Sequence, residues 1–86
     1  MYLHLGQDYI VPSQSVVAVF DMDTATVSKR TAALLERLQQ EGRILEIYDD
    51  LPRAAVLCED GLGEMLYLTG LSPQALQRRA EKKYAI

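Results

Sequence analysis

The sequence predicts an α+β fold, a small and mostly antiparallel sheet with two helices, built as a single domain over residues 1–86. Three observations predict it. Residues 53–69 read as two apolar runs, Ala54 to Cys58 and Met65 to Thr69, joined by an acidic loop carrying Gly61 and Gly63, which is the pattern of a β-hairpin. Upstream, Val16 to Phe20 is nearly uninterrupted in its apolar character and leads into an apolar stripe at helical spacing. Downstream, Ser72-Pro73 opens a shorter second helix.

Taken in order, Tyr2-Leu3-His4-Leu5 alternates, with Leu3 and Leu5 on one face of a strand and Tyr2 and His4 on the other. Gly6-Gln7-Asp8 turns the chain and Tyr9-Ile10-Val11 returns as a second strand, kept short or at a sheet edge by Pro12, which lacks a donor and biases Val11 toward extended geometry. Ser15 to Asp21 is the third strand, and its composition suits cover on both faces, by the chain's own helices or by another subunit. Thr24 is expected to cap the first helix, with Asp21 and Asp23 near its positive end. That helix runs to about Glu41: Val27, Thr31, Leu34, Leu35 and Leu38 form one stripe, Lys29, Arg30, Glu36, Arg37 and Gln40 lie off it, and Gly42 closes it. Ile44 to Tyr48 is the next strand, and Asp49-Asp50-Leu51-Pro52 loops into the hairpin. In the last helix Ser72 is the cap, Pro73 occupies the first helical position where a missing N–H costs nothing, and Leu71 can staple onto Leu76.

A chain of 86 residues buries only about 60–65% of its unfolded surface. With 49% hydrophobic residues and a strand apolar on both faces, it holds more apolar surface than so small a body covers, so a homo-oligomer larger than a dimer is expected. The single Cys58 has no intrachain partner, which suits a reducing, cytoplasmic compartment. No apolar run approaches the roughly 18 residues of a membrane span, and the N-terminus has no basic segment followed by an apolar one, so neither membrane insertion nor secretion is expected.

The net charge of −3 argues, as a bulk property, against a nucleic-acid binder. The distribution argues differently. Four of the nine basic residues, Arg78, Arg79, Lys82 and Lys83, fall in the last nine positions, while the acids gather at Asp21 and Asp23, at Asp49 and Asp50, and at Glu59, Asp60 and Glu64. At i, i+1, i+4 and i+5 the four cations share one side of the final helix. They read either as a solvated helix end complementing the negative dipole terminus, or as a phosphate-contacting strip made avid by repetition around an oligomer.

Catalytic readings find less support. Asp21-Met22-Asp23 at a strand end resembles the first motif of haloacid-dehalogenase-type phosphatases, and Asp49-Asp50 superficially mimics their magnesium-holding pair. Those enzymes need a doubly wound parallel sheet, whereas one strand-helix-strand unit followed by a tight hairpin is predicted here, so Asp21 and Asp23 are expected to lead into a helix rather than to attack phosphorus. His4 is the only histidine, which with one Cys leaves no zinc ligand set, and Cys58 reads as a small core residue. No enzyme activity and no cofactor are expected.

In motif order the chain resembles the bacterial extracellular-matrix regulator family of RemA and RemB type, and lies nearer the RemB branch. The resemblance rests on Tyr-Leu-His-Leu-Gly at 2–6, Ile-Val-Pro-Ser at 10–13, Val-Val-Ala-Val-Phe-Asp at 16–21, Thr-Val-Ser-Lys at 26–29, Asp-Leu-Pro-Arg-Ala at 50–54 and Leu-Ser-Pro-Gln-Ala-Leu-Gln-Arg-Arg-Ala at 71–80. It implies a small α+β protomer assembling into a ring-like homo-oligomer, and cytoplasmic regulation of biofilm-matrix genes. In the RemA branch, DNA contact uses an Arg just before the second main strand and an Arg-Arg pair ahead of the hairpin. Here Ser15 stands at the first position and Asp50 and Leu51 at the pair, and only the last Arg of that stretch is kept, as Arg53. The residues expected to meet duplex DNA are therefore Arg53, Arg78, Arg79 and Lys82. The competing expectation is a scaffold of the same fold that binds proteins, a paralogue among them, without DNA affinity.

Overall fold

The computed structural model describes residues 1–25 and 28–84, with the side chains of 24, 25 and 80–84 left undescribed. The elements follow as β1 (Tyr2–Gly6), β2 (Tyr9–Pro12), a 3-10 turn (Ser13–Ser15), β3 (Val16–Asp21), a single helical turn α1 (Met22–Ala25), α2 (Lys29–Gln40), β4 (Ile44–Ile47), β5 (Ala54–Asp60), β6 (Gly63–Thr69) and α3 (Pro73–Tyr84). The fold is α+β with two substantial helices, α2 and α3, as the sequence predicts. Its strands divide into two sheets rather than one: β1 pairs antiparallel with β2, and the other four lie in the order β3-β5-β6-β4, antiparallel except for the parallel pair β4–β6.

β5 explains the unbroken apolar run that dominates the sequence. It has a strand on either side and a covered face above and below, so all five residues from Ala54 to Cys58 are buried. Alternation sends Ala54, Val56 and Cys58 into a core shared with Leu3, Leu5, Val11 and Leu76, and Ala55 and Leu57 into a second core with Leu38 and Leu66. The layers are thus the β1–β2 hairpin with α3, then the four-stranded sheet, then α2. Gln7 and Asp8, both at positive φ (47° and 68°), give the β1–β2 turn the twist that matches its strands.

β3 is an edge strand. A register shift between Val16 and Ala18 places Val16 with the α3-side core and Ala18 and Phe20 with the α2-side core. The cover on both faces that the sequence suggests is only partly supplied: Val17 is 60% exposed and Val19 42%.

The first helix begins differently from the prediction. Met22 N–H donates to the Arg53 carbonyl (3.1 Å), and the Asp21 carboxylate accepts from Asp23 N–H (3.0 Å), so the helical turn α1 starts directly at the strand end and absorbs Thr24. The cap of α2 is Ser28 instead, accepting from Thr31 N–H at 3.5 Å. Val27, assigned to the apolar stripe, lies outside the described residues. The far end agrees with the sequence: Gly42 at φ 70° allows Arg43 N–H to reach the Leu38 carbonyl and its own N–H to reach that of Gln39, a Schellman closure. At α3 the Ser72 hydroxyl accepts from Ala75 N–H (3.1 Å), and Leu71 packs on the core that holds Leu76.

Candidate nucleic-acid interface

Arg53 precedes β5 and its backbone is fixed on both sides, its N–H donating to the Thr69 carbonyl (2.8 Å) and its carbonyl accepting from Met22. The exposed side chain lies in an open cleft of about 460 Å³ lined also by Asp23, Asp49, Asp50, Leu51 and Gly70. Gln7 braces this loop by donating to the Asp49 carboxylate at 3.2 Å. Three carboxylates beside one guanidinium make the cleft acidic, so it repels phosphate and attracts cations. Ser15 sits at the other end of β3, because Val16 pairs with Cys58 while Asp21 pairs with Ala54. A strand of that length separates the two positions by roughly 17–20 Å. The Ser15 hydroxyl donates to the Pro12 carbonyl (2.7 Å).

The predicted cation strip on α3 divides. Arg78 is exposed, with no ion pair among the described residues. Arg79 is half-buried and donates from its guanidinium to Nδ1 of His4, fastening α3 to β1. The side chains of Lys82 and Lys83 lie outside the described residues. Elsewhere, Arg37 is paired with Glu64 (3.0 Å) and Glu41 (3.4 Å), and the hydrogen bond it donates to the Glu64 carboxylate raises its already high pKa. Arg43 donates to the Glu64 carbonyl (3.1 Å). These two cations are engaged at the α2 end of the sheet.

Two features of this surface were missed by the sequence reading. The convergence of Asp23 and Asp49-Asp50 on Arg53 was visible only as separate acidic clusters until the strand order joined them. The Arg79–His4 bond spans 75 positions and leaves no local signal.

Among the described residues there is no group of three or more His, Cys, Asp or Glu placed to hold a metal ion. Cys58 is buried, and that burial pushes its thiol pKa up, against a smaller opposing contribution from a hydrogen bond with Ser15. Asp21 sits in a mixed sheet with one parallel pair, far from the parallel architecture a phosphatase motif needs. Asp21→Asn is accordingly expected to leave assembly intact, since the amide oxygen can still accept from Asp23. Magnesium-dependent phosphatase turnover by the wild type that this substitution abolishes would overturn the structural assignment.

The fold and its charged surface define a class: a small α+β protein whose candidate site is a distribution of cations and carboxylates. No family model matches the chain. It is 27% identical over 86 residues to Extracellular matrix regulatory protein B of Bacillus subtilis (strain 168), an alignment covering 100% of this chain and 98% of that protein. Similarity across the full length bears out the RemB-type resemblance carried by the motifs.

Proposed function

We propose that the chain is a non-enzymatic, cytoplasmic regulator of extracellular-matrix gene expression that works as a homo-oligomer and touches duplex DNA through the end of α3. The observation that carries the regulatory role is the end-to-end similarity to a protein named as an extracellular matrix regulator. Assembly is supported by Val17 and Val19, apolar and open on an edge strand. The DNA contact is assigned to α3 because Arg78 is exposed there and Lys82 and Lys83 follow in sequence, whereas Arg53 shares its cleft with three carboxylates. Arg79 contributes by holding the helix against β1. No helix among the described residues is long and apolar enough to cross a membrane.

The acidic cleft around Arg53 favours a second reading, in which the oligomer is a scaffold for a basic protein partner, a paralogue included, and has no DNA affinity. Duplex binding across a salt series, with oligomer mass measured on the same sample, separates the two. Under the first reading Arg78→Ala weakens binding uniformly across sequences and reduces the slope of log K against log salt by about 1, because a phosphate contact carries no base information. Replacing Asp50 and Leu51 with Arg strengthens binding by converting the cleft from acidic to basic. If neither wild type nor the double-Arg variant binds at low salt, the scaffold reading replaces the DNA-binding one.

A further inference from the structure

We infer that His4 is a proton-operated latch on α3: while its ring is neutral it holds Arg79 and the helix lies docked on β1, and when the ring takes a proton the second half of the helix is released. The inference goes beyond the function proposed above and does not depend on whether α3 meets DNA.

The bond itself fixes the state of the ring. A guanidinium has N–H donors and no acceptor, so the Nδ1 that meets Arg79 offers a lone pair and the ring proton sits on Nε2. A second proton, at Nδ1, removes that acceptor. It also sets an imidazolium directly against a guanidinium. Both side chains are half-buried, so their repulsion is screened less than it would be on an open surface.

The surroundings of His4 offer a protonated ring no compensation. Three elements pack on β1, namely β2, α3 and β6. β1 carries Tyr2, with the Met1 amine ahead of it, and β2 carries Tyr9; neither strand has a carboxylate, and Asp8 lies in the turn between them. α3 brings Arg79 and, beside it, Arg78, while the side chains of Glu81, Lys82 and Lys83 lie outside the described residues. On β6, Glu64 is paired with Arg37, and Tyr67 packs on the core that Leu3 and Leu5 enter from the other face of β1. Among the described residues no ion pair joins His4 to an acid.

The helix is built so that only part of it depends on the latch. Its first half is fixed by the Ser72 cap and by Leu71 and Leu76 in the core. Arg79 stands one turn past Leu76 on the same side, and its bond to His4 extends the docking toward the C-terminal half. The contact is present at higher pH, where His4 is neutral, and is lost as pH falls through the range of about 8 to 5 in which histidine takes up its proton. Release leaves the Arg79 guanidinium beside exposed Arg78, so acid unmasks positive charge on α3.

The test follows amide hydrogen exchange at about pH 7.5 and about pH 5.5, expressed as protection factors corrected for the intrinsic rate, with nitrogen NMR of the single histidine ring as a direct reading of its state. In the wild type, protection of the amides of residues 79–82 is expected to fall at least about tenfold from the higher pH to the lower, as befits loss of a hydrogen bond to a charged group, while β5 stays protected and serves as the folding control. His4→Asn sets an amide oxygen near the place of Nδ1 and does not titrate, so its helix stays protected at both pH values. Arg79→Met keeps a helix-favouring apolar stem without a donor, so its helix is poorly protected at both. Equal protection of the wild type at the two pH values overturns the inference. So does a His4→Asn chain that loses protection in acid as the wild type does, or an Arg79→Met chain as well protected at the higher pH as the wild type. Should a variant fail to fold, the wild-type ring decides: a proton on Nδ1 at the higher pH is incompatible with the bond, and protonation of Nδ1 at the lower pH without loss of protection shows that the bond does not hold the helix.

Discussion

Thr69→Val is expected to destabilise the protein by about 2–4 kcal/mol although it changes almost no volume. Thr69 ends β6 fully buried, and its hydroxyl donates to the Leu5 carbonyl (2.5 Å) while accepting from Leu71 N–H (3.1 Å). One oxygen thus joins the first sheet, the second sheet and the segment entering α3. Valine leaves a buried acceptor and a partly buried donor without partners, and each such loss costs roughly 1–3 kcal/mol, more than the added methyl recovers. For a domain of this size each kcal/mol lowers the melting temperature by about 4–8 °C, so a fall of roughly 10 °C or more is expected by calorimetry. Thr69→Ser supplies the comparison: it keeps the hydroxyl and loses one methyl, at about 1 kcal/mol. If valine proves no worse than serine at this position, the hydroxyl does not hold the two sheets together as described.

What could be read in advance follows from the range of the interactions involved. The β5–β6 hairpin was legible because an unbroken apolar run, a glycine-bearing loop and a second strand-like run lie next to one another, and the ladder from Ala54–Thr69 to Asp60–Gly63 keeps that register. The α3 cap was legible for the same reason, with Leu71, Ser72, Pro73 and Leu76 all within six consecutive residues. The start of α2 was not, because Thr24 and Ser28 are both good caps. The choice between them was made by the backbone bond from Met22 to Arg53, which fixes where β3 lets the chain go. The division into two sheets depends on strand partners, which alternation does not reveal. Of the candidate site, the identity of the cations was visible. Their engagement was not: Arg79 reaches His4 because α3 packs on β1, and Arg53 shares its cleft with three carboxylates because the α1 turn and the 49–52 loop lie beside it.

Leu38→Ala is expected to cost about 3–5 kcal/mol, the upper part of the range for a buried leucine. Leu38 is the α2 residue that is wholly buried, and it packs on Ala55, Leu57 and Leu66 of the two central strands. Those strands have little freedom to collapse into the space, since β5 is held by β3 on one side and β6 on the other, and its opposite face packs against the first hairpin. The cavity therefore persists and adds to the lost transfer free energy. Leu34, on the same stripe but only half-buried, gives a smaller loss of about 1–2 kcal/mol when truncated, because solvent already reaches part of it. A domain of 86 residues has roughly 4–13 kcal/mol of stability in all, so the Leu38 variant loses a large fraction of it while its helix, closed by Gly42 and capped by Ser28, keeps its local signals. The measurement is urea unfolding followed by far-ultraviolet circular dichroism. The midpoint should fall by about 1 M or more at an unchanged slope. Equal losses for Leu38→Ala and Leu34→Ala would mean that α2 is not anchored to the sheet through Leu38.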